Sequence, residues 1–193
     1  MVMKLPITGD SRADQLLEDS PLALLFAMLL DQQVPMEWAF HAPYDLSLRL
    51  GGQLDCVAIA AMDEDELKAV FLEKPALHRY PGSMGARTRE LCVHLVENYD
   101  GKAENVWNGA DTGAELFARL LALPGFGEQK ARIFVALLAK RLGVKPPGWE
   151  DFAGDYARPG YYSAADIDGP GALEKVREHK RAVKAAKKAQ TSP

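Results

Sequence analysis

The amino-acid sequence predicts an all-α protein, and three observations support this class. First, apolar residues recur three or four positions apart in most segments before residue 145, which is the spacing of one helix face. Second, helix-starting residues precede these segments, as at Ser20-Pro21, where a capping Ser stands before a Pro at the first helical position. Third, no segment shows the sustained apolar–polar alternation that is typical of a half-buried strand.

The elements can be assigned in chain order. Residues 22–30, LALLFAMLL, are apolar on every side, which predicts a buried central helix. Pro35 is expected to open the next helix, a short helix is expected over residues 42–52, and residues 73–85 are expected to form a loop. Further helices, each with apolar residues at helical spacing, are expected over residues 55–71 (divided at Met62), 86–101, 112–123 and 129–144.

The composition changes after residue 144. Residues 145–171 are rich in Pro, Gly and Tyr, which predicts loops with one short helix at 148–153. Residues 172–188 carry apolar and basic residues in a pattern that predicts a basic helix.

Charge is distributed unevenly along the chain. The formal net charge is −4, but residues 174–193 hold seven Lys or Arg and two Glu, so this segment carries +5 and the remainder carries −9. An acidic body argues against a protein that binds nucleic acid through its overall charge. Any such binding has to use local dipoles, a few placed cations and the basic C-terminal segment.

Several classes of protein are disfavoured by the composition. The longest apolar run has nine residues, too few to cross a bilayer, so we expect a cytoplasmic protein without a membrane partner. Cys56 and Cys92 are too few for a four-cysteine zinc or iron–sulfur site and are expected to be buried thiols. We expect no metal and no cofactor, because metal-ligand spacing is absent from the four histidines, His41, His78, His94 and His179.

The segment LALPGFGEQKARIFVALL at residues 121–138 places a Pro and two Gly between two helical stretches. A helix interior does not tolerate this combination, so the segment is expected to be a hairpin between two helices. One interpretation is a plain corner. The other is an anion site, in which backbone N–H groups and the positive helix N-terminus hold a DNA phosphate. Lys130 stands at the start of the second helix, where it could add a cation.

The flanking residues add a resemblance. Residues 123–131, LPGFGEQKA, are similar to the helix-hairpin-helix of the DNA glycosylase superfamily that includes endonuclease III, adenine glycosylase and the alkyladenine glycosylases. Residues 24–39 resemble the first core helix of that superfamily, which ends in a Gln-containing loop. Residues 81–101 resemble its segment G-x-x-x-x-K/R-A-x-x-L. The three segments occur in the order and at the spacing of the superfamily, over roughly residues 20–145.

The resemblance implies two helical lobes around a DNA cleft. The helical core would cover residues 20–145, with the hairpin and its helices at 113–143. Residues 1–19 and 146–173 would pack on this core as the second lobe. Residues 174–193 would form a basic helix or tail. The enzyme would bend the DNA and extrude one nucleotide into the cleft. The residues expected to contact DNA are Gln32 or Gln33 in the duplex and, at the backbone, Pro124, Gly125, Phe126, Gly127, Gln129 and Lys130.

Two departures from the superfamily concern its catalytic residues. The nucleophilic Lys of bifunctional members would fall at Gln129, so no Schiff-base lyase chemistry is expected, and Lys130 is assigned to phosphate binding. The essential Asp would follow the second hairpin helix closely, but residues 145–147 are Lys-Pro-Pro. Asp151 is the candidate catalytic residue; the alternative is that it is only a solvated Asp. Weaker acidic candidates are Asp155, Asp166 and Asp168. Two aromatic residues, Trp149 and Tyr156, could stack on an extruded base.

The sequence therefore predicts a base-excision DNA repair protein. It would be a monofunctional glycosylase that hydrolyses the N-glycosidic bond of a damaged or mispaired base, acting on double-stranded DNA as a monomer. A first alternative is a non-catalytic helix-hairpin-helix protein that recognises bent or damaged duplex. A second is a protein-interaction module whose acidic body contacts a basic partner.

Overall fold

The backbone of residues 4–191 and the side chains of residues 4–189 are described by a computed structural model, and every regular element in that range is helical. The all-α class is therefore confirmed for these residues. The α-helices are α1 (Ser11–Asp19), α2 (Pro21–Leu30), α3 (Met36–Arg49), α4 (Cys56–Ala61), α5 (Glu64–Leu72), α6 (Pro81–Tyr99), α7 (Gly113–Leu121), α8 (Glu128–Leu137), α9 (Trp149–Ala153) and α10 (Ala172–Thr191). Among them, none combines the length and the apolar content that a membrane crossing requires.

Helix α2 lies at the centre of the core, as its composition predicts. The Ser20 side chain accepts a hydrogen bond from the Ala23 N–H, and Pro21 occupies the first turn. All nine residues from Leu22 to Leu30 are buried. Helices α1 and α3 pack on α2, so the apolar surface of α2 is enclosed on several sides.

Two helices differ from the expected bounds. Helix α3 runs through residues 36–49 with Pro43 inside it, where a short separate helix over 42–52 was expected. Pro43 is buried, as is Phe40 one turn earlier, so tertiary packing holds the helix together despite the missing N–H. Helix α6 begins at Pro81 rather than after residue 85, because Pro at the first helical position starts a helix well.

The second half of the chain is organised around α8. Helix α8 packs against α7 and α9. The start of α7 lies so close to α9 that a Cβ on Gly113 would be 2.5 Å from the Trp149 nitrogen, so only glycine fits there. Beyond Leu137 the helix continues as one wider turn, Leu138–Leu142, and stops at Gly143.

The two ends of the chain pack mainly on different helices. Helix α1 packs on α2 and α3, whereas α9 and the turns that follow it pack on α7 and α8. The expectation that residues 1–19 and 146–173 form a second lobe packed on the core stays a prediction. Helix α10 continues to Thr191. Residues 1–3 and 192–193, which were included in these expectations, lie outside the described residues.

Candidate functional site: a cleft between α2, α8 and α10

A cleft of about 590 Å³ lies where the loop after α2, the first turn of α8 and one side of α10 come together. It brings together several of the sequence-predicted residues, which come from positions about a hundred residues apart. Among the residues that line it are Asp31, Gln32, Gln33, Gln129, Lys130 and Tyr156.

The hairpin at residues 122–127 directly precedes α8, whose residues Gln129 and Lys130 line the cleft. Gly125 and Phe126 attach the hairpin to the core in different ways. Gly125 has a φ of +80°, and a Cβ there would overlap the Cδ1 of Leu29, so the hairpin packs directly on the last turn of α2. Phe126 is buried and meets the Phe134 ring edge to face at a centroid distance of 6.1 Å. The hairpin is therefore attached to the core on both sides.

The N-terminus of α8 is open to solvent. Gly127 is the N-cap residue; it is exposed, and no side chain among the described residues caps this end. The N–H groups of a first helical turn have no partner within the helix and carry a partial positive charge. This end of α8 therefore has the chemistry of an anion-binding position, with Pro124 and Gly125 beside it.

Lys130 points inward rather than toward that open end. Its Nζ donates to the Leu29 carbonyl oxygen at 2.5 Å, one of the last carbonyls of α2, where the helix dipole favours a cation. Burial lowers the pKa of Lys130 to about 8; the Asp31 carboxylate raises it and the Arg87 guanidinium lowers it further. The structure thus places Lys130 on the wall of the cleft, and its assignment to phosphate binding stays a prediction.

Asp31 is the carboxylate on the same wall. It follows the last residue of α2 as its C-cap residue, a position at which the helix dipole disfavours a negative charge. Burial raises the pKa of Asp31, while Lys180 and Lys130 lower it. The Lys180 Nζ lies 4.0 Å from Asp31 Oδ2. Asp31 and Lys130 therefore have pKa values displaced toward each other, a pattern common at functional sites.

His78 fixes the loop that carries Asp31. Its ring is buried, and Nε2 lies 3.1 Å from both the Leu30 and the Gln32 carbonyl oxygens. The other ring nitrogen, Nδ1, accepts the Tyr80 N–H at 3.0 Å, so we assign the proton to Nε2. Burial lowers the pKa of His78, which agrees with a neutral ring. These bonds hold the loop in one conformation.

The two glutamines after Asp31 have different surroundings. Gln32 is half-buried, and its amide contacts the Met84 sulfur at 3.0 Å. Gln33 is exposed and has a φ of +56°, unusual for a residue other than glycine. Of the two residues expected to probe a duplex, Gln33 is therefore the one presented at the tip of the loop.

The candidate catalytic residue Asp151 does not line the cleft. It lies exposed on α9, and α9 is held elsewhere, with Phe152 against Phe117 at a centroid distance of 5.5 Å and its carbonyl accepting from Arg132 at 3.1 Å. Because α9 packs on the side of α7 and α8, residues 145–148 do not deliver Asp151 to the cleft as expected.

Each of the weaker acidic candidates lies near a basic residue of the protein. Asp155 is exposed and pairs with Arg158 at 3.1 Å. Asp166 is buried and bonds Lys140 at 2.5 Å. Asp168 is exposed near Arg141 at 3.8 Å.

Of the two aromatic candidates, Tyr156 lines the cleft, whereas Trp149 packs against the hydrophobic core. The Tyr156 hydroxyl accepts from Gln129 Nε2 at 3.2 Å, so both are presented together. A base entering the cleft would meet the Tyr156 ring.

The sequence analysis gave no site role to three polar residues of the cleft, Asp31, Tyr162 and His179. It included Lys180 only as part of the basic C-terminal segment. The ring of Tyr162 meets that of His179 edge to face at 4.9 Å. One signal was available for Asp31, since an acidic residue at the C-terminus of the most apolar helix opposes the helix dipole. Tyr162 and His179 carry no comparable local signal, because residues 161–163 and α10 reach the cleft only through tertiary packing.

Comparison with protein-family models, with curated proteins and with solved structures found no match. The chemistry of the cleft has to be inferred from its own residues and from the hairpin beside it.

Proposed function

We propose that this chain is a base-excision DNA repair protein that hydrolyses the N-glycosidic bond of a damaged or mispaired base in duplex DNA. One observation carries the proposal. A half-buried carboxylate, Asp31, and a half-buried amine, Lys130, line one cleft and have pKa values displaced in opposite directions. The exposed Gln33 lines the same cleft, and the uncapped α8 contributes Gln129 to it.

The DNA backbone would bind at the start of α8. Backbone N–H groups there offer an anion site without adding a side-chain charge, which suits a chain whose residues before 174 are acidic. Gln33 at the loop tip would enter the duplex where one nucleotide has left the stack. The extruded base would then lie in the cleft against Tyr156.

Asp31, not Asp151, is the carboxylate to which this proposal assigns the chemistry. As the C1′–N bond breaks, its electron pair leaves with the base and positive charge develops on the sugar. An ionised Asp31 would stabilise that charge and then accept a proton from the water that adds to C1′. That proton would pass through solvent to the departed base, which completes the hydrolysis. Burial raises the pKa of Asp31, which makes the carboxylate a better proton acceptor than an exposed one.

The test is a panel of end-labelled duplexes, each holding uracil, hypoxanthine, 3-methyladenine, 8-oxoguanine or a mismatch. After incubation, each sample is divided and one half is treated with hot alkali. Strand breaks that require alkali are the expected result and would identify the base. If no duplex is cleaved although binding is retained, the chain is instead a non-catalytic DNA-binding protein.

Two matched variants locate the carboxylate. Asp31→Asn is expected to lower the cleavage rate by about 10²- to 10⁴-fold, the usual contribution of a positioned acid or base, and to leave duplex binding in place. Asp151→Asn makes the same chemical change outside the cleft and is expected to keep the wild-type rate. The reverse pattern would contradict the assignment of Asp31.

A second activity is favoured by the surroundings of Lys130. An amine with a pKa of about 8 has a sizeable neutral fraction at mildly alkaline pH. It could attack the aldehyde carbon of an abasic sugar, with loss of water, to give an imine. Borohydride reduction would then trap a covalent protein–DNA adduct that Lys130→Met does not form. Strand breaks without alkali would support this activity and contradict the prediction made from Gln129.

A further inference from the structure

We propose that α10 is the phosphate clamp of the cleft: Lys180, Lys184 and Lys187 hold the backbone of the bound strand, and Lys180 exchanges Asp31 for a phosphate when the strand enters. This inference rests on the proposed function, because it names the surface that binds the same polyanionic substrate.

The three lysines form one row on α10. They stand at positions i, i+4 and i+7, which places them on the same helix face, and all three line the cleft. The arginines of α10 are engaged elsewhere: Arg177 pairs with Glu37 and Glu174, and Arg181 pairs with Glu174. Three lysines of α10 thus line the cleft, whereas its two arginines pair with protein carboxylates.

The first two turns of α10 are attached to the body. Val176 is fully buried, Arg177 pairs with Glu37 of α3, and the His179 ring packs on Tyr162. From residue 181 to 189 the side chains are exposed. Lys180 lies at the boundary between the attached and the exposed part of α10. Its amine can therefore contact either the Asp31 carboxylate or a phosphate of the substrate.

The length of the row matches a nucleic-acid strand. Seven residues of α-helix rise about 10 Å, and successive phosphates of one strand are about 3.4 Å apart along the duplex axis. The row therefore spans about three phosphates. A neutral or singly charged ligand would leave most of this charge unused, so the row favours a polyanion.

The Lys180–Asp31 contact gives the exchange its physical basis. At 4.0 Å, with the Lys180 side chain 46% exposed, the pair is a weak one. A phosphate that replaces Asp31 would release the carboxylate at the moment the strand arrives. Binding of the backbone and liberation of the cleft carboxylate would then be one event.

The first experiment compares two triple variants of equal charge by fluorescence anisotropy, using a short labelled duplex that holds a tetrahydrofuran abasic-site analogue. One variant replaces Lys180, Lys184 and Lys187 by Gln, and the control replaces Lys175, Arg181 and Lys188 by Gln. The slope of log binding constant against log salt concentration is negative. Its magnitude is expected to decrease by about 2.7 in the cleft-facing variant and by less than about 1 in the control. Equal slopes in both would overturn the clamp. Failure of the wild type to bind the duplex would overturn the proposed function as well.

A double-mutant cycle tests the exchange. Asp31→Asn removes the competing carboxylate, so duplex binding is expected to tighten about two- to five-fold, the effect of one weak ion pair. In a Lys180→Gln background the same change is expected to have less than half of that effect. If Asp31→Asn tightens binding equally in both backgrounds, Lys180 does not exchange partners. Circular dichroism of each variant checks that α10 remains helical.

Discussion

The two ends of α8 each carry a lysine near an aspartate, but the two couples differ in every other respect. At the N-terminal end Lys130 and Asp31 line the cleft. At the other end Lys140, in the wider turn after α8, bonds Asp166 at 2.5 Å. The two lysines are ten positions apart along α8 and the wider turn that continues it, and each lies near an aspartate.

The Lys140–Asp166 couple is fully engaged. Asp166 is buried, and besides Lys140 it accepts the N–H groups of Tyr162 at 2.8 Å and Ser163 at 3.0 Å. Lys140 also donates to the Arg158 carbonyl at 2.8 Å. Every strong partner that these groups need is supplied by the protein, so the couple fastens residues 158–166 to the end of α8.

The Lys130–Asp31 couple is incomplete. Among the ion pairs of the described side chains, none joins Lys130 to Asp31; Lys130 donates to the Leu29 carbonyl, and the carboxylate has only the distant contact with Lys180. The two couples have the same residue types and differ in the number of protein hydrogen bonds that the carboxylate accepts.

The largest expected effect removes each aspartate in turn. Asp166→Ala leaves the half-buried Lys140 amine and two backbone N–H groups without their carboxylate partner, so the free energy of unfolding is expected to fall by about 3–5 kcal/mol. Asp31→Ala removes a carboxylate that the helix end and burial both disfavour, and the expected change is within about 1 kcal/mol. Urea unfolding followed by circular dichroism measures both. Equal losses would show that the two couples are alike.

A smaller effect is expected from the titration of Lys130. The folded state lowers its pKa from 10.5 to about 8, so between these pH values the unfolded chain binds more protons than the folded one. Stability then rises with pH across this window. Relative to Lys130→Met, the wild type is expected to gain about 1–3 kcal/mol between pH 8 and 10.5.

Urea unfolding at several pH values, with wild type and Lys130→Met in parallel, isolates this contribution from other groups that titrate there. A constant difference between the two proteins across the window would mean that Lys130 is not buried in the folded state.

The smallest expected change in stability concerns the open end of α8. Gly127 has φ −90° and ψ 177°, and a Cβ there meets no atom within 4 Å. Gly127→Asp places a good capping residue at this position and is expected to stabilise the fold by about 0.3–1 kcal/mol. The same carboxylate would occupy the anion position, so duplex binding is expected to weaken.

Thermal unfolding and anisotropy give these two quantities separately, and Gly127→Ser provides a cap without the charge. If Gly127→Asp binds the duplex as well as Gly127→Ser does, phosphate does not bind at the start of α8.

Local patterns were sufficient for the fold class and for most helices. The apolar run at residues 22–30 and the hairpin between α7 and α8 were predicted because their signals, uniform hydrophobicity and Pro-Gly content, are contained in a few adjacent residues. A helix that continues through Pro43 was not predicted, because Pro disfavours a helix interior. The burial of Pro43 in the core outweighs this local preference.

The cleft depended on information that no local pattern contains. Lys130 was expected to face a phosphate, yet it bonds a carbonyl about a hundred residues earlier. Asp151 was expected in the cleft, but the direction of a five-residue helix is set by the packing of Phe152 on Phe117. Asp31 could have been found from its unfavourable position at a helix end, whereas the contribution of α10 required the tertiary structure.

One consequence follows from the contact between Gly125 and Leu29. The hairpin packs on the last turn of α2 and Lys130 bonds the Leu29 carbonyl, while the Gln33 loop extends from the same turn. The start of α8 and the loop that carries Gln33 are thus attached to the same turn of α2. In the proposed function, the DNA would then have to deform to fit the protein. A flexible or weakly stacked base step costs less energy to deform, so it would be selected before any base edge is contacted.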